Sequence, residues 1–210
     1  MIAVVDCGIS NIRSIEKALK KIEKEYYIAK KGEDLKKATH IILPGVGAFE
    51  EGMNKLVEKG FKKAILEEVL DNKKPIIGIC LGMQFLFTKS EEGLGEIEGL
   101  DLIKGEVIKF NFDKGEKLKI PHIGWNESIP EENIDLFNEI EEGSNFYFVH
   151  SYHAKISNEE NKNIKKAVTD YGYKFSSAVQ KKNIFGVQFH PEKSQKKGLQ
   201  LLKNFCEIKC

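Results

Sequence analysis

Short apolar runs alternate with amphipathic stretches through the first half of the chain. Ile2-Ala3-Val4-Val5 reads as a buried strand, and after Asp6-Cys7-Gly8 the residues Ile12, Ile15, Leu19 and Ile22 recur at helical spacing. His40-Ile41-Ile42-Leu43 is the next strand, closed by Pro44-Gly45-Val46-Gly47. A helical stretch carrying Phe61, Ile65, Leu66 and Val69 leads into a further strand at Pro75 to Ile79. Continuous apolar strands separated by helices predict an α/β fold: an open, largely parallel sheet with helices on both faces.

From about Gly93 the pattern changes to short strand-like pieces broken by Gly, Asn and Asp: Glu106-Val107-Ile108, Leu118-Lys119-Ile120, Phe146-Tyr147-Phe148-Val149 and Lys166-Ala167-Val168. Here the spacing predicts mixed or antiparallel sheet. Ile184 to Phe189 forms one more strand, and a last helix carries Leu199, Leu202 and Phe205 on one face. No repeat, low-complexity tract or long linker interrupts the chain, so residues 1–210 are expected to form one domain.

Composition narrows the class without naming a chemistry. Apolar residues are 41% and charged residues 31%, and 33 basic against 32 acidic side chains leave a formal charge of +1. The paired lysines alternate with acids, as on solvated faces, so neither nucleic acid nor membrane is expected as a partner. The chain opens directly on a strand, with no signal-like or spanning segment, and a cytoplasmic protein is expected. Cys7, Cys80, Cys206 and Cys210 show no zinc-type pairing, so free thiols and no metal are expected.

Cys80 is the exception in its surroundings. It sits in Gly78-Ile79-Cys80-Leu81-Gly82-Met83-Gln84, directly after an apolar strand. A strand that turns sharply into a helix needs small residues two before and two after the turning residue, because a Cβ at either place would crowd the next element. The thiol is then presented at helix N–H groups that favour a thiolate and can hold an oxyanion. A cysteine after Ile-Ile-Gly-Ile also reads as core filler.

A cysteine nucleophile needs a base, since with a reference pKa near 8.5 only about 3% is thiolate at neutral pH. Of His40, His122, His150, His153 and His190, the last ends a strand and is followed by Pro191 and Glu192. In extended chain, residues two apart project to the same side, so Glu192 can fix the tautomer of His190 and stabilise its imidazolium. Pro44 to Gly47, Cys80 and His190 to Glu192 all follow strands, where open α/β sheets bind their ligands.

The cysteine motif and Gly186-Val187-Gln188-Phe189-His190-Pro191-Glu192 together resemble the class I (triad) glutamine amidotransferases. Pro44 to Phe49, Pro121 to Asn126, Tyr147 to Tyr152 and Glu192 to Gln195 extend the resemblance over the chain. It implies a glutaminase with Cys80 as nucleophile, His190 as base and acid, and Glu192 orienting His190. It also implies Leu81 and Gly47 as oxyanion donors, and Gln84, Glu92, Ser151 and Tyr152 as the groups holding L-glutamine, with Glu91 beside Glu92 as the alternative. No cofactor is implied.

A glutaminase used in biosynthesis must pass NH3 along a dry path, because free ammonia in water is mostly ammonium. Triad, sheet and flanking helices are expected to use all 210 residues, so the acceptor enzyme is expected to be another chain. The resemblance implies a separate HisF-type (β/α)8 cyclase as a 1:1 partner in histidine biosynthesis, with Asn11 and Trp125, the latter in a turn-like Gly/Asn setting, at the interface. Asp6-Cys7-Gly8-Ile9-Ser10-Asn11 departs from the family's usual Asp-Tyr-Gly-Met-Gly-Asn. That departure keeps open a paralogue feeding sugar-modifying enzymes; a stand-alone γ-glutamyl hydrolase is the other alternative.

Overall fold

In the computed structural model, which describes residues 1–93, 95–112 and 118–209, the apolar runs become strands buried on both faces. β1 (Ile2–Val5) leads through α1 (Ile12–Lys21) to β2 (Tyr26–Ala29) and β3 (His40–Gly45). α2 (Phe49–Glu58) and α3 (Phe61–Leu66) return the chain to β4 (Ile76–Cys80), which passes without a loop into α4 (Leu81–Phe85). The short strands β5 (Phe87–Ser90), β6 (Ile97–Glu98), β7 (Ile103–Lys109), β8 (His122–Glu127) and β9 (Ile129–Pro130) follow. Then come β10 (Asn145–His150), β11 (Tyr152–Ile156), β12 (Lys165–Asp170), β13 (Lys174–Lys181), β14 (Ile184–Val187) and the last helix α5 (Gln195–Cys206).

The main sheet has eight strands in the order β2-β1-β3-β4-β14-β13-β12-β9. Pairing is parallel from β2 to β14 and antiparallel from β14 to β9. This is the expected parallel centre with antiparallel additions. Two smaller sheets, β11-β7-β5-β6 and the ribbon β8-β10, are built from the strands between Phe87 and Ile156.

Alternation along the central strands divides the core. Ala3, Val5, Ile41 and Leu43 face α2, α3 and the four-stranded sheet, whereas Ile2, Val4, Ile42, Ile77 and Ile79 face α1, α5 and the aromatic side of the ribbon. Phe49, Phe61, Phe85, Phe146, Phe148, Phe185 and Phe205 are fully buried, each worth about 1.5–3 kcal/mol of transfer free energy.

Two local expectations are corrected. Leu118-Lys119-Ile120 is irregular, with no strand among the described residues paired to it: Leu118 and Ile120 are each 38% exposed, and the Lys119 carbonyl accepts from the Tyr171 hydroxyl. Trp125 lies within strand β8 rather than in a turn. The six-pair register with β10 holds that strand straight through Gly124, whose φ is 149°, although glycine and asparagine beside the indole read as turn residues.

The register also carries the site. Gly45 pairs with Cys80 across β3 and β4, and Val187 pairs with Ile79 across β14 and β4. The loop after β3, the turn at Cys80 and the segment after β14 therefore emerge side by side at the carboxyl edge.

Candidate active site

β4 ends in a conformation that only packing can hold. Cys80 has φ 54° and ψ −112°, a region costing a non-glycine residue on the order of 1–3 kcal/mol. A Cβ at Gly78 would lie 2.4 Å from the Gly82 carbonyl oxygen, and one at Gly82 would lie 1.8 Å from the Leu43 oxygen. The glycine spacing is thus demanded by backbone on both sides of the turn. α4 is only five residues long, so individual N–H groups, not a long helix dipole, are what it offers an anion. Leu81, its first residue, has no acceptor for its N–H within the helix.

His190 and Glu192 do meet, by a turn and not by an extended chain: Pro191–Lys193 is one turn of 3-10 helix. The Nδ1–H of His190 donates to Glu192 Oε1 at 2.8 Å, with both side chains only 3% exposed. The backbone on either side is tied down, since the His190 N–H donates to the Tyr147 carbonyl and the Ser194 hydroxyl donates to the His190 carbonyl. Burial opposes a charged imidazole here, but Cys80 and Glu192 outweigh it and raise His190 to about 9. At neutral pH the ring is then an imidazolium, seated between the Cys80 sulfur and the Glu192 carboxyl group. Its Nε2 is buried without a hydrogen-bond partner, so the sulfur acts on it as a near neighbour and not through a closed bond. Looseness of this kind is common before substrate tightens a site.

One cavity of about 460 Å³ is lined by Gly47, Cys80, Leu81, Gln84, Glu92, Ser151, Tyr152 and His190, which brings together every expected catalytic, oxyanion and substrate residue except Glu192, seated behind His190. Glu92, not Glu91, faces it. The Phe49 N–H donates to Glu92 at 3.0 Å, yet burial still raises this carboxyl above its ordinary range, while Glu91 turns away to accept the Lys109 N–H. Val46 donates its N–H to the Ile9 carbonyl at 2.9 Å, directing that group toward the β1–α1 loop. Gly47 has φ 101° and open space where a Cβ would stand.

The cavity also includes Pro121, Val149, His150 and Lys193, none assigned a role in the sequence analysis. Alternation in Phe146, Phe148 and His150 is the signal that would have placed His150 on the inner face of its strand. There it joins His122 among Phe110, Phe148 and Phe175. Burial drives both imidazoles neutral, His122 down to about 4 and His150 to about 3. The remaining thiols sit apart: burial raises Cys7 and pushes Cys206 up to about 12, and Cys210 lies outside the described residues.

Asn11 and Trp125 lie outside the cavity. Asn11 is exposed at the N-cap of α1, in the loop whose Ile9 holds Val46. Trp125 is 49% and Ile123 59% exposed on the outer face of the ribbon. The indole meets the Tyr147 ring edge-on at 5.9 Å, and that ring is 6.4 Å from the His190 ring. No helix among the described residues is long and apolar enough to cross a membrane.

The family model for "Glutamine amidotransferase class-I" matches residues 3–208. The chain is 48% identical over 208 residues to "Imidazole glycerol phosphate synthase subunit HisH 1" of Campylobacter jejuni (strain RM1221), covering 99% of this chain and 100% of that protein. It is 47% identical over 205 residues to the HisH subunit of Bacillus cereus (strain ATCC 10987 / NRS 248), covering 98% and 93%. A solved glutamine amidotransferase structure superposes with a TM-score of 0.73 at 18% identity, covering 98% of this chain and 97% of the other.

Proposed function

The chain belongs to the glutamine amidotransferase class-I family, and on that premise we propose that Cys80, His190 and Glu192 are its catalytic triad within a single domain spanning residues 1–210. The protein is a glutamine-hydrolysing enzyme, the glutaminase subunit of an imidazole glycerol phosphate synthase in histidine biosynthesis. The observation carrying the triad is the meeting of the Cys80 turn and the buried His190–Glu192 pair in one cavity, through the parallel pairing of β4 with β14.

The Cys80 thiolate attacks the side-chain amide carbon of glutamine, and the carbonyl electron pair moves onto oxygen, held by the N–H groups of Leu81 and Gly47. As the tetrahedral intermediate collapses, the His190 imidazolium gives its Nε2 proton to the departing nitrogen and NH3 leaves. Neutral His190 then takes a proton from water, whose oxygen attacks the thioester. A second oxyanion collapses, the C–S bond breaks with its electrons returning to sulfur, and glutamate departs. Glu192 holds the imidazole in one tautomer throughout. Gln84, Glu92, Ser151 and Tyr152 hold the substrate, the half-buried Glu92 carboxylate suiting its α-ammonium group.

The ammonia goes to a HisF-type (β/α)8 cyclase bound as a 1:1 heterodimer, with Asn11 and Trp125 on the docking surface. No specific observation favours a sugar-modifying partner or a stand-alone hydrolase. The test is ammonia release from free glutamine with and without the cyclase. A sharp rise on adding the cyclase, with formation of imidazole glycerol phosphate, is expected, as is a loss of about three decades or more in Cys80→Ala. Equal turnover of γ-glutamyl peptides without any partner would overturn the reading.

A further inference from the structure

Gln188 lies two residues before His190, is fully buried, and has a role in neither the triad nor the substrate set. Its side-chain amide is used at both ends. Nε2 lies 3.8 Å from the Cys80 sulfur, and Oε1 accepts from Gln84 Nε2 at 3.1 Å.

The direction of these bonds follows from one backbone carbonyl. Tyr152 O can only accept, and it receives Gln84 Nε2 at 3.0 Å and His150 Nδ1 at 2.8 Å. Gln84 must therefore turn its NH2 group inward, with its second hydrogen reaching Gln188 Oε1. The amide of Gln188 is fixed in turn, with its NH2 toward sulfur. On the other arm His150 carries its proton on Nδ1, and its Nε2 accepts from His122 Nδ1 at 3.1 Å. Burial keeps both rings neutral, as this arrangement needs.

The sulfur thus sits between opposite influences. The Val149 carbonyl, 3.9 Å away, can accept from the thiol and repels a thiolate, whereas Gln188 donates to a thiolate. We propose that Gln188 is a further catalytic residue: its Nε2–H stabilises the Cys80 sulfur as an anion before attack and again when the thioester C–S bond breaks. Gln84, His150 and His122 act as positioning residues that set its orientation. The proposal rests on the reading of Cys80 as nucleophile.

The other titratable groups around the sulfur are His190 with Glu192 behind it, His150 beneath, and Glu92, Tyr152 and Lys193 around the cavity. Substitution at Gln188 leaves all of them in place. The test follows alkylation of Cys80 by iodoacetamide against pH, read by mass spectrometry of the Cys80 peptide, in the full chain with Gln188→Met and Gln188→Glu. The midpoint is expected to rise by about one pH unit in Gln188→Met and further in Gln188→Glu, which sets a carboxylate oxygen against sulfur. With the cyclase present, kcat for glutamine hydrolysis should fall about tenfold or more while KM changes less than about threefold. In the unmutated protein, the Gln188 side-chain amide protons should shift in 15N-edited spectra as Cys80 ionises, a readout that does not depend on a variant folding. An unmoved midpoint in a folded variant, or amide protons indifferent to Cys80 ionisation, overturns the proposal. Failure of Cys80 to alkylate in the unmutated protein at any pH would instead sink its assignment as nucleophile.

Discussion

The two glycine-bearing turns that flank the cavity are held in opposite ways. At the Cys80 turn a methyl group on Gly82 would collide with the Leu43 carbonyl at 1.8 Å, so the nucleophile is gripped by backbone on every side. At Gly47, one strand away, nothing lies within 4 Å of the same position, and the Val46–Ile9 hydrogen bond ties the loop to the β1–α1 segment. The ribbon repeats the contrast across its thickness, with His122, Phe148 and His150 packed inward and Ile123 and Trp125 exposed outward. The backbone carrying the attacking group and its base is fixed by main-chain contacts, whereas the loop at Gly47 has open space and the outer face of the ribbon, the surface proposed for the partner, is exposed. A glutaminase that should not release ammonia before an acceptor is ready benefits from that division.

Gly82→Ala tests the gripped side most severely. The clash is with main chain, so a loss of about 3 kcal/mol or more is expected, roughly 6–12 °C in Tm for a chain of this size, read by thermal denaturation. The inner face of the ribbon should reveal itself in acid. His150 and His122 are held far below the ordinary 6.5, so as pH falls through 6.5 the unfolded chain takes up protons that the folded one refuses. The contribution of these two histidines is then full above pH 6.5 and declines toward pH 4, by about 2 kcal/mol per histidine at pH 5. Urea midpoints measured from pH 7 to 5 should fall accordingly, and His122→Asn should flatten the dependence.

Gly47→Ala sharpens the contrast from the loose side. Only the left-handed backbone is strained, so stability should drop by about 1 kcal/mol. Cyclase-stimulated glutaminase should nevertheless fall by roughly one to two decades, because an oxyanion donor is displaced. At the alkaline end, His190 is lifted to about 9, and the imidazolium that must protonate the leaving nitrogen is lost as pH rises through that value. The kcat profile should decline about tenfold per pH unit beyond it, and a profile flat to pH 10 would count against His190 as the acid. The smallest effect on the fold belongs to Trp125→Ala. At 49% exposure it should shift stability by about 0.5 kcal/mol or less while weakening partner-stimulated turnover several-fold, and equal losses of Tm and activity would remove Trp125 from the interface.

Much of the cavity was legible because its determinants are local. Gly78 and Gly82 announce a turn through the steric needs of a few neighbouring residues, and His190 and Glu192 meet within a single turn of chain. Alternation with Phe146 and Phe148 could place His150 on the inner face of its strand, but nothing local shows that this face opens on the cavity, and Gln188, just past the end of β14, carries no sign in sequence of the sulfur it meets. Glu91 and Glu92 illustrate the same limit: adjacent in sequence and identical in chemistry, they are distinguished by the N–H groups that donate to them, that of Lys109 to Glu91 and that of Phe49 to Glu92. Trp125 was misplaced as a turn residue because strand β8 is stabilised by its register with β10 and not by its own composition.

By itself, then, the amino-acid order determined the alternation of strand and helix, the strained cysteine turn, the histidine–carboxylate pair and the family to which they belong, all consequences of side-chain size and backbone freedom over short spans. The tertiary structure alone decided that β14 would pair beside β4 and bring base to nucleophile. It also decided which carboxylate enters the cavity, and how one backbone carbonyl orients a chain of buried amides and imidazoles toward sulfur. Such pairings are free-energy choices among distant segments, made by burial and hydrogen-bond direction that no local window contains.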